Sequence, residues 1–313
     1  MRTRWLVSTF CLFLYAASGF SSCGSSSCPI DLHALGLSDN SRLVLDLSFQ
    51  YIDQDRLRRA RGDFEIEHDE VRTINRLTTL QLTTRLAPRL QLSLTAPFVS
   101  RTHEHIDRDS GESEQWRFSA FGDIAAQIRY GATQSFWLSA GVKLPTGARH
   151  ETNGDEEAEV TIQPGSGSTD VIVGATYQWG IVRNTSVSGP MGSAAQIPFF
   201  TSLTYRRNGR GTHEYRRGDE LQLSAGSEYP ISPSLHVIGQ INLRHTDKDD
   251  VGATIENPDL TGGTYVYVSP GLRLLAGGGA SLYGYVQIPV VQRVNGVQLV
   301  SRVNLLVGIQ KRF

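Results

Sequence analysis

The sequence ends in NLLVGIQKRF (residues 304–313), and the apolar residues of this stretch recur at every second position. Counted back from Phe313, the apolar positions are Ile309, Val307, Leu305 and Val303. A period of two is that of a β-strand with two unlike faces. Lys311 is the one charged residue on the apolar face, and its long side chain can reach water near a membrane surface. The stretch predicts a membrane strand that closes on an aromatic ring.

The same period recurs along the chain from residue 40 onwards. RLVLDLSFQY (residues 42–51) is the first of twelve predicted strands, most of them about 10 to 16 residues long. Strands of soluble sandwiches average about five or six residues, whereas a tilted membrane strand needs about 9–11. The other eleven predicted strands are 71–87, 90–100, 116–131, 135–146, 167–180, 196–207, 218–231, 234–246, 262–276, 279–291 and 298–313.

The connections between these strands alternate in length. Short turns are expected near residues 88, 132, 232 and 277, and long polar loops over 51–70, 101–115, 147–167 and 244–263. Residues 181–196 are the exception, a longer connection on the short-turn side. Outer-membrane barrels combine tight periplasmic turns with long outer loops, and closure leaves no unpaired edge in lipid. We therefore predict an all-β, transmembrane, antiparallel up-and-down barrel with both termini in the periplasm.

The N-terminus has the order of a secretory signal. Arg2 and Arg4 precede the apolar stretch 5–15, and small residues follow at 16–19. This order predicts a signal peptide at 1–19, a periplasmic segment at 20–40 and a barrel at 41–313. In an oxidising compartment Cys23 and Cys28 could form a disulfide, and the sequence leaves this pairing open.

The overall charge and the expected compartment limit the partners. A formal charge of −1 argues against nucleic acid, whose phosphates require a basic surface. We expect a monomer whose partners are outer-membrane lipid, the barrel-assembly machinery and a small-molecule solute.

The face opposite the apolar one should line the lumen. Its charges have both signs, which fits either a salt-bridged structural interior or a narrow path for a solute. Its tyrosines could stack on one another or guide an apolar or aromatic solute. The candidate lumen residues are Asp46, Asp123, Arg129, Lys143, Asp170, Glu228, His236, Arg244, Tyr265, Tyr267, Arg273, Tyr283, Tyr285 and Arg302.

Catalytic and metal sites are not expected. His103, Glu104 and His105 cluster with two aspartates at 107 and 109, but such groups in a polar loop are usually solvated charge. His236 is the lumen-side histidine on a predicted strand, and the chain carries no Gly-x-Ser-x-Gly signature. We therefore predict no enzyme activity, no metal and no cofactor.

Several stretches resemble a known transporter family. They are RLAPRLQLSLTAPFV (85–99), FGDIAAQIRYG (121–131), GVKLPTG (141–147), QPGSGSTDVIVGATYQ (163–178), GGTYVYVSPGLRLL (262–275) and VQIPVVQRVNGVQL (286–299). In this order they are similar to the outer-membrane transporter family of the meta-pathway of phenol degradation, itself distantly similar to long-chain fatty acid transporters. The resemblance implies a barrel of about twelve strands that passes small apolar or aromatic compounds. It assigns no binding residue, because the shared positions are mostly glycines and prolines at turns and strand ends.

Two functions follow as hypotheses. The first is an outer-membrane channel that admits small, apolar or aromatic molecules. The second is a closed barrel whose N-terminal segment CGSSSCPIDLHALGL (23–37) docks a periplasmic partner.

The terminal ring gives a first testable prediction. Phe313 resembles the aromatic end by which assembly machinery recognises barrels, so we expect Phe313→Ser to impair membrane insertion. The measurement is the fraction of heat-modifiable barrel in the membrane. Unchanged insertion would remove the assembly role of Phe313 and leave the barrel prediction intact.

Overall fold

The first and last strands of the barrel are hydrogen-bonded to each other. In a computed structural model, β16 (Val297–Arg312) pairs antiparallel with β1 (Leu43–Arg59), from Val44 opposite Arg312 to Arg59 opposite Val297. The amide of Phe313 donates to the carbonyl oxygen of Leu43 at 2.9 Å. This pairing closes the sheet and confirms the predicted closing strand. The structure describes residues 28–32, 34, 41–63, 70–106, 111–154, 156–183, 195–254 and 257–313.

Twelve antiparallel strand positions form the barrel, as predicted, and one of these positions is shared by two consecutive short strands. Two 3₁₀ turns lie at Thr212–Glu214 and Pro258–Leu260, and no described helix is long and apolar enough to span a membrane. Between β1 and β16 the strands are β3 (Glu70–Ala87), β4 (Leu90–Ile106), β5 (Ser113–Phe121), β6 (Ala125–Gly131), β7 (Phe136–Lys143), β10 (Asp170–Arg183), β11 (Ala195–Arg207), β12 (Glu220–Pro230), β13 (Leu235–Thr246), β14 (Gly263–Leu275) and β15 (Ala280–Val294). Two-residue pieces are β2 (Gly62–Asp63), β8 (Thr152–Asn153) and β9 (Glu156–Glu157).

The two ends of the barrel differ in their connections. Short turns at 88–89, 132–135, 231–234 and 276–279 lie at one end, which we call the turn end. Longer connections at 144–169, 208–219 and 247–262 lie at the other, the loop end, where a two-residue turn at 295–296 also joins β15 to β16. The predicted loops 51–70 and 101–115 are shorter than expected, because β1 continues to Arg59 and β4 to Ile106.

The predicted strand 116–131 is interrupted at residues 122–124. β5 pairs with the loop-end half of β4, and β6 with its turn-end half. The amide of Gly122 donates to the carbonyl oxygen of Pro97 at 2.9 Å, and a Cβ on Gly122 would lie only 3.0 Å from the Pro97 ring. The break therefore depends on close contact between a glycine and a proline.

The outer face of the barrel is apolar and carries exposed aromatic rings. Tyr177, Trp179 and Phe199 stack near the turn end with neighbouring centroids 5.7 Å apart. At the level of the β5–β6 break, the rings of Phe98 and Phe121 meet edge to face at 5.2 Å. Aromatic girdles of this kind border the lipid-facing band of outer-membrane barrels.

Lys311 reaches the turn end as predicted. Its Nζ donates to the carbonyl oxygen of Gly278 at 2.6 Å and lies 5.5 Å from the centre of the Phe313 ring. The charge therefore leaves the apolar face along its aliphatic stem.

Two glycines on neighbouring strands should respond differently to replacement by alanine. A Cβ on Gly271 would collide with the carbonyl oxygen of Gly284 and lie 2.8 Å from Tyr285, whereas a Cβ on Gly239 meets nothing within 4 Å. We expect Gly271→Ala to destabilise the barrel by about 1–3 kcal/mol. Gly239→Ala is the matched control and should leave stability unchanged. The measurement is the urea midpoint of heat-modifiable mobility, and equal midpoints for both variants would contradict the strand packing.

Candidate functional site: the barrel lumen

Part of the N-terminal segment lies inside the barrel. Nε2 of Gln287 donates to the carbonyl oxygen of Cys28 at 2.7 Å. Gln240 accepts from the amide of Asp31 at 3.1 Å and donates to its carbonyl oxygen at 2.8 Å, and Gln178 donates to the carbonyl oxygen of Ala34. The three glutamines project from β15, β13 and β10. Their side-chain amides bond to the backbone of the segment, as the backbone of a neighbouring strand would. Residues 20–40 were expected in the periplasm, but the described part is luminal.

The predicted lumen tyrosines pack on this segment. Cys28 is buried with Tyr265 and Tyr267, and its Sγ donates to the carbonyl oxygen of Tyr265 at 3.7 Å. Ile30 and Leu32 pack against a cluster that contains Tyr283 and Tyr285. The rings therefore serve as a packing surface for the chain's own segment. Cys23 lies outside the described residues, so its disulfide with Cys28 remains a prediction.

Two polar networks lie on the inner wall of the barrel. The hydroxyl of Tyr283 donates to Asp46 at 2.6 Å, and Gln310 donates to the other carboxylate oxygen at 3.2 Å. Glu228 lies 2.5 Å from Nδ1 of His236 and 3.6 Å from Nε of Arg273. These residues are paired with one another, which fits the structural interpretation of the lumen charges. Arg129 also faces inward, within electrostatic range of Asp31 on the N-terminal segment.

Arg302 is the one predicted lumen residue that lies on the outer face. Its side chain is 65% exposed and donates to Asp55 at 3.1 and 3.2 Å. The cause is a bulge, since Asn304 lies opposite Ile52 and Ser301 opposite Gln54. Three steps along β16 therefore match two along β1, and the extra residue turns Arg302 outward. Strict alternation in the sequence cannot reveal this shift.

A buried ionic cluster joins three of the stretches that resemble the transporter family. Nζ of Lys143 lies 2.9 Å from Asp123 and 2.8 Å from Asp170. The carboxylate of Asp123 also accepts the amide and hydroxyl of Ser166 at 2.9 and 2.6 Å, and Ser168 donates to Asp170 at 2.7 Å. Both carboxylates are thus fully used by local donors. The sequence analysis placed these three charged residues in the lumen, but it did not predict that they contact one another.

Glycines allow the same stretches to approach each other. A Cβ on Gly147 would lie 2.6 Å from the backbone of Gly122, and one on Gly165 would lie 2.6 Å from the backbone of Gly147. Only glycine permits backbones to pack this closely. The shared glycines therefore have a physical role, which is to stack the loop 144–169 on the wall.

The loop 144–169 folds back into the loop end of the lumen. Its residues Ala158 and Ile162 are buried against Trp116, Phe118 and Leu299 on the inner wall. Arg101 donates to the carbonyl oxygen of Ile162. A loop predicted to be a solvated outer loop is thus a luminal element.

A cavity of about 580 Å³ lies between the N-terminal segment and the infolded loop. Ile30 and Leu32 border it on one side, and Thr161 and Pro164 on the other. Its wall combines apolar side chains with charged residues: Leu77, Pro97, Val99, Ile172 and Leu306, and Asp46, Asp123, Lys143, Asp170, Arg206, Arg217, Glu220, Arg244 and Asp249. The volume falls in the range of small-molecule sites.

The histidines at 103 and 105 lie on β4 rather than in a loop. His103 is buried and its Nδ1 lies 2.9 Å from Thr73 Oγ1, and His105 lies 3.4 Å from Glu114. Within the described ranges no group of three or more histidine, cysteine or acidic residues could hold a metal ion. Positions 107 and 109 lie outside these ranges.

The lysine of the ionic cluster carries a testable prediction. Lys143→Gln leaves Asp123 and Asp170 buried without their cation, and breaking a buried ion pair costs about 3–5 kcal/mol. We expect faster hydrogen exchange in residues 158–169, measured by mass spectrometry on the detergent-solubilised barrel. Lys248→Gln is the matched control, because Lys248 pairs with Asp259 at an exposed site. Equal exchange in both variants would show that the cluster does not anchor the loop.

Comparisons with known proteins identify the architecture. No family model matches the chain, and no curated protein matches it in sequence. Among solved structures, an outer membrane channel from Pseudomonas putida aligns with a TM-score of 0.62 and 13% identity, over 87% of this chain and 96% of that chain. The transport unit of the autotransporter AIDA-I from Escherichia coli aligns with a TM-score of 0.52 and 10% identity, over 91% and 93%.

A toluene transporter from Ralstonia pickettii aligns more distantly, with a TM-score of 0.45 and 10% identity over 96% of this chain and 100% of that chain. At this distance it supports no argument about cargo. Identities of this size show the fold alone, and membership of the phenol-degradation family stays a prediction. The chain therefore has the fold of a twelve-stranded outer-membrane β-barrel.

Proposed function

We propose that the protein is an outer-membrane channel that admits small, apolar or aromatic molecules through its lumen. The observation that carries this proposal is the chamber of about 580 Å³ inside the barrel. Its two boundaries are segments of the chain that lie inside the barrel and are not strands of its wall. A chamber of this kind can hold a solute and open on either side.

The composition of the chamber wall supports a partly apolar cargo. Val99, Ile172 and Leu306 are buried side chains that line it. Apolar pockets with a few placed polar groups are typical of small-molecule sites, because desolvation favours the apolar part and the polar groups orient it. The tyrosines serve mainly to seat the N-terminal segment, so we assign the cargo to the chamber instead.

The orientation in the membrane is part of the proposal. Short turns of outer-membrane barrels face the periplasm, so the turn end and both termini should lie there. The loop 144–169 would then guard the outer opening. A closed sheet with an apolar outer face is complete as a monomer, because no strand edge is left for a second copy.

A channel accounts for the lumen better than an enzyme does. His236, the histidine considered for catalysis, lies against Glu228, which also faces Arg273. This arrangement resembles a structural ion network on the inner wall, since each group is satisfied by its neighbours. We therefore infer transport without covalent chemistry.

The alternative of a partner-docking segment loses support from the placement of residues 28–32 and 34. Cys28 and Ala34 are each only 1% exposed inside the barrel. A periplasmic partner could reach these residues only after the segment had left the lumen.

Removal of the segment gives the functional test. We expect the full chain to show small conductance steps in planar bilayers, and a variant without residues 20–34 to show steps several times larger. Phenol added to the bath should interrupt the current of the full chain, because a bound solute occupies the chamber. A variant that lacks only residues 20–27 is the control, since it keeps the luminal contacts.

Correct folding of each variant is checked by heat-modifiable mobility. A folded barrel that stays electrically silent with and without residues 20–34 would overturn the channel and favour a closed structural barrel.

A further inference from the structure

The charged residues that line the chamber differ in whether the described residues supply them with hydrogen-bond or ion-pair partners. Asp46 accepts from Tyr283 and Gln310, and Asp123 and Asp170 share Lys143. Each of these carboxylates therefore has donors from the wall of the barrel.

The remaining lining carboxylates are also engaged. Asp249 accepts the amide of Gly218 at 2.8 Å and the hydroxyl of Tyr215. Burial raises the pKa of Asp249, which lies in the loop 247–262. Glu220 accepts from Gln222 on its own strand and faces Arg244 at 4.0 Å.

Three of the four lining cations have acceptors. Lys143 sits between two carboxylates. Arg244 faces Glu220 and lies 4.9 Å from the centre of the Tyr265 ring. Arg217 donates to the carbonyl oxygens of Val160 and Thr161 at 3.3 and 3.4 Å.

Arg206 is different. It lines the chamber from β11, and it makes no hydrogen bond or ion pair with any residue in the described part of the chain. Its Nε is buried without an acceptor, as is the Nε of Arg244, but Arg244 has Glu220 and the Tyr265 ring as partners. A buried, unsatisfied donor on a permanent cation is costly, and such a group in a native structure calls for an explanation.

The surroundings of Arg206 define what could satisfy it. Its cross-strand neighbour on β10 is Ile172, an apolar lining residue. Its cross-strand neighbour on β12 is Glu220, whose carboxylate contacts Gln222 and Arg244. A guanidinium offers a planar fork of donors that matches a carboxylate. Beside it, Ile172 offers an apolar surface, and Val99 lines the same chamber from β4.

We propose that Arg206 is the anion-binding residue of the chamber, and that the preferred cargo is a small carboxylate with an apolar or aromatic body. The carboxylate accepts from the guanidinium of Arg206, and the apolar body lies against Ile172 and Val99. This inference rests on the proposed channel function and narrows its solute class. It needs no movement of the acids, because each of them keeps its present donors.

The test measures equilibrium binding, so that it does not depend on transport. Fluorine NMR follows 4-(4-fluorophenyl)butyrate, and in parallel its uncharged amide, as each is titrated with detergent-solubilised protein; empty micelles are the blank. The proteins compared are the wild type, Arg206→Gln, Arg206→Lys and Arg207→Gln. Arg207 is the matched control, because it is the next residue on β11 and its side chain is exposed on the other face.

We expect the wild type to bind the acid about tenfold more tightly than the amide, since a charge-assisted hydrogen bond is lost with the amide. Arg206→Gln should weaken binding of the acid about tenfold and leave binding of the amide unchanged. Arg206→Lys should restore part of the acid binding, and Arg207→Gln should match the wild type.

Equal binding of the acid by the wild type and Arg206→Gln would overturn the proposal. So would an equal loss of acid and amide, because that would show a structural role for Arg206. A silent but folded barrel in the bilayer experiment would instead overturn the channel while these binding data still decided the anion site.

Discussion

The structure depends on one constraint, which is that lipid offers no partner for a backbone amide or carbonyl group. A sheet in a membrane must therefore close, and here the closure is the pairing of β1 with β16. Closure fixes which face of every strand meets lipid and which face is enclosed. The enclosed face is then free to be polar, because its groups are shielded by the wall and can pair with one another.

This chain uses the enclosed space for segments of its own. Glutamine side chains from three strands bind the backbone of Cys28, Asp31 and Ala34, and stacked glycines with the Lys143 cluster bind the loop 144–169. The two kinds of interaction, neutral amide hydrogen bonds and a buried ion pair, differ in energy. Neutral amide bonds contribute about 1 kcal/mol each, whereas breaking a buried ion pair costs several times more. The loop is therefore anchored mainly by charge, and the N-terminal segment by neutral amides and by the packing of Cys28, Ile30 and Leu32.

Agreement between sequence and structure is best where strands cross the lipid. The alternation at Leu305, Val307 and Ile309 fixed both the existence and the outward face of β16. Alternation did not predict the strand ends beyond the apolar band, because β1 and β4 continue to Arg59 and Ile106 with polar residues on both faces. It also failed at Arg302, since a bulge changes the face of a side chain without leaving a mark in the pattern of residue types.

The sequence by itself determined a twelve-stranded barrel and its lipid face, because alternation is a local property of each strand. Only the tertiary structure decided that Asp123, Lys143 and Asp170 meet, that residues 28–32 and 34 are luminal and that Arg206 has no counter-ion among the described residues. These facts depend on residues that are far apart in sequence and become neighbours only when the wall closes. Pairing between such distant residues carries no local signal in a single chain.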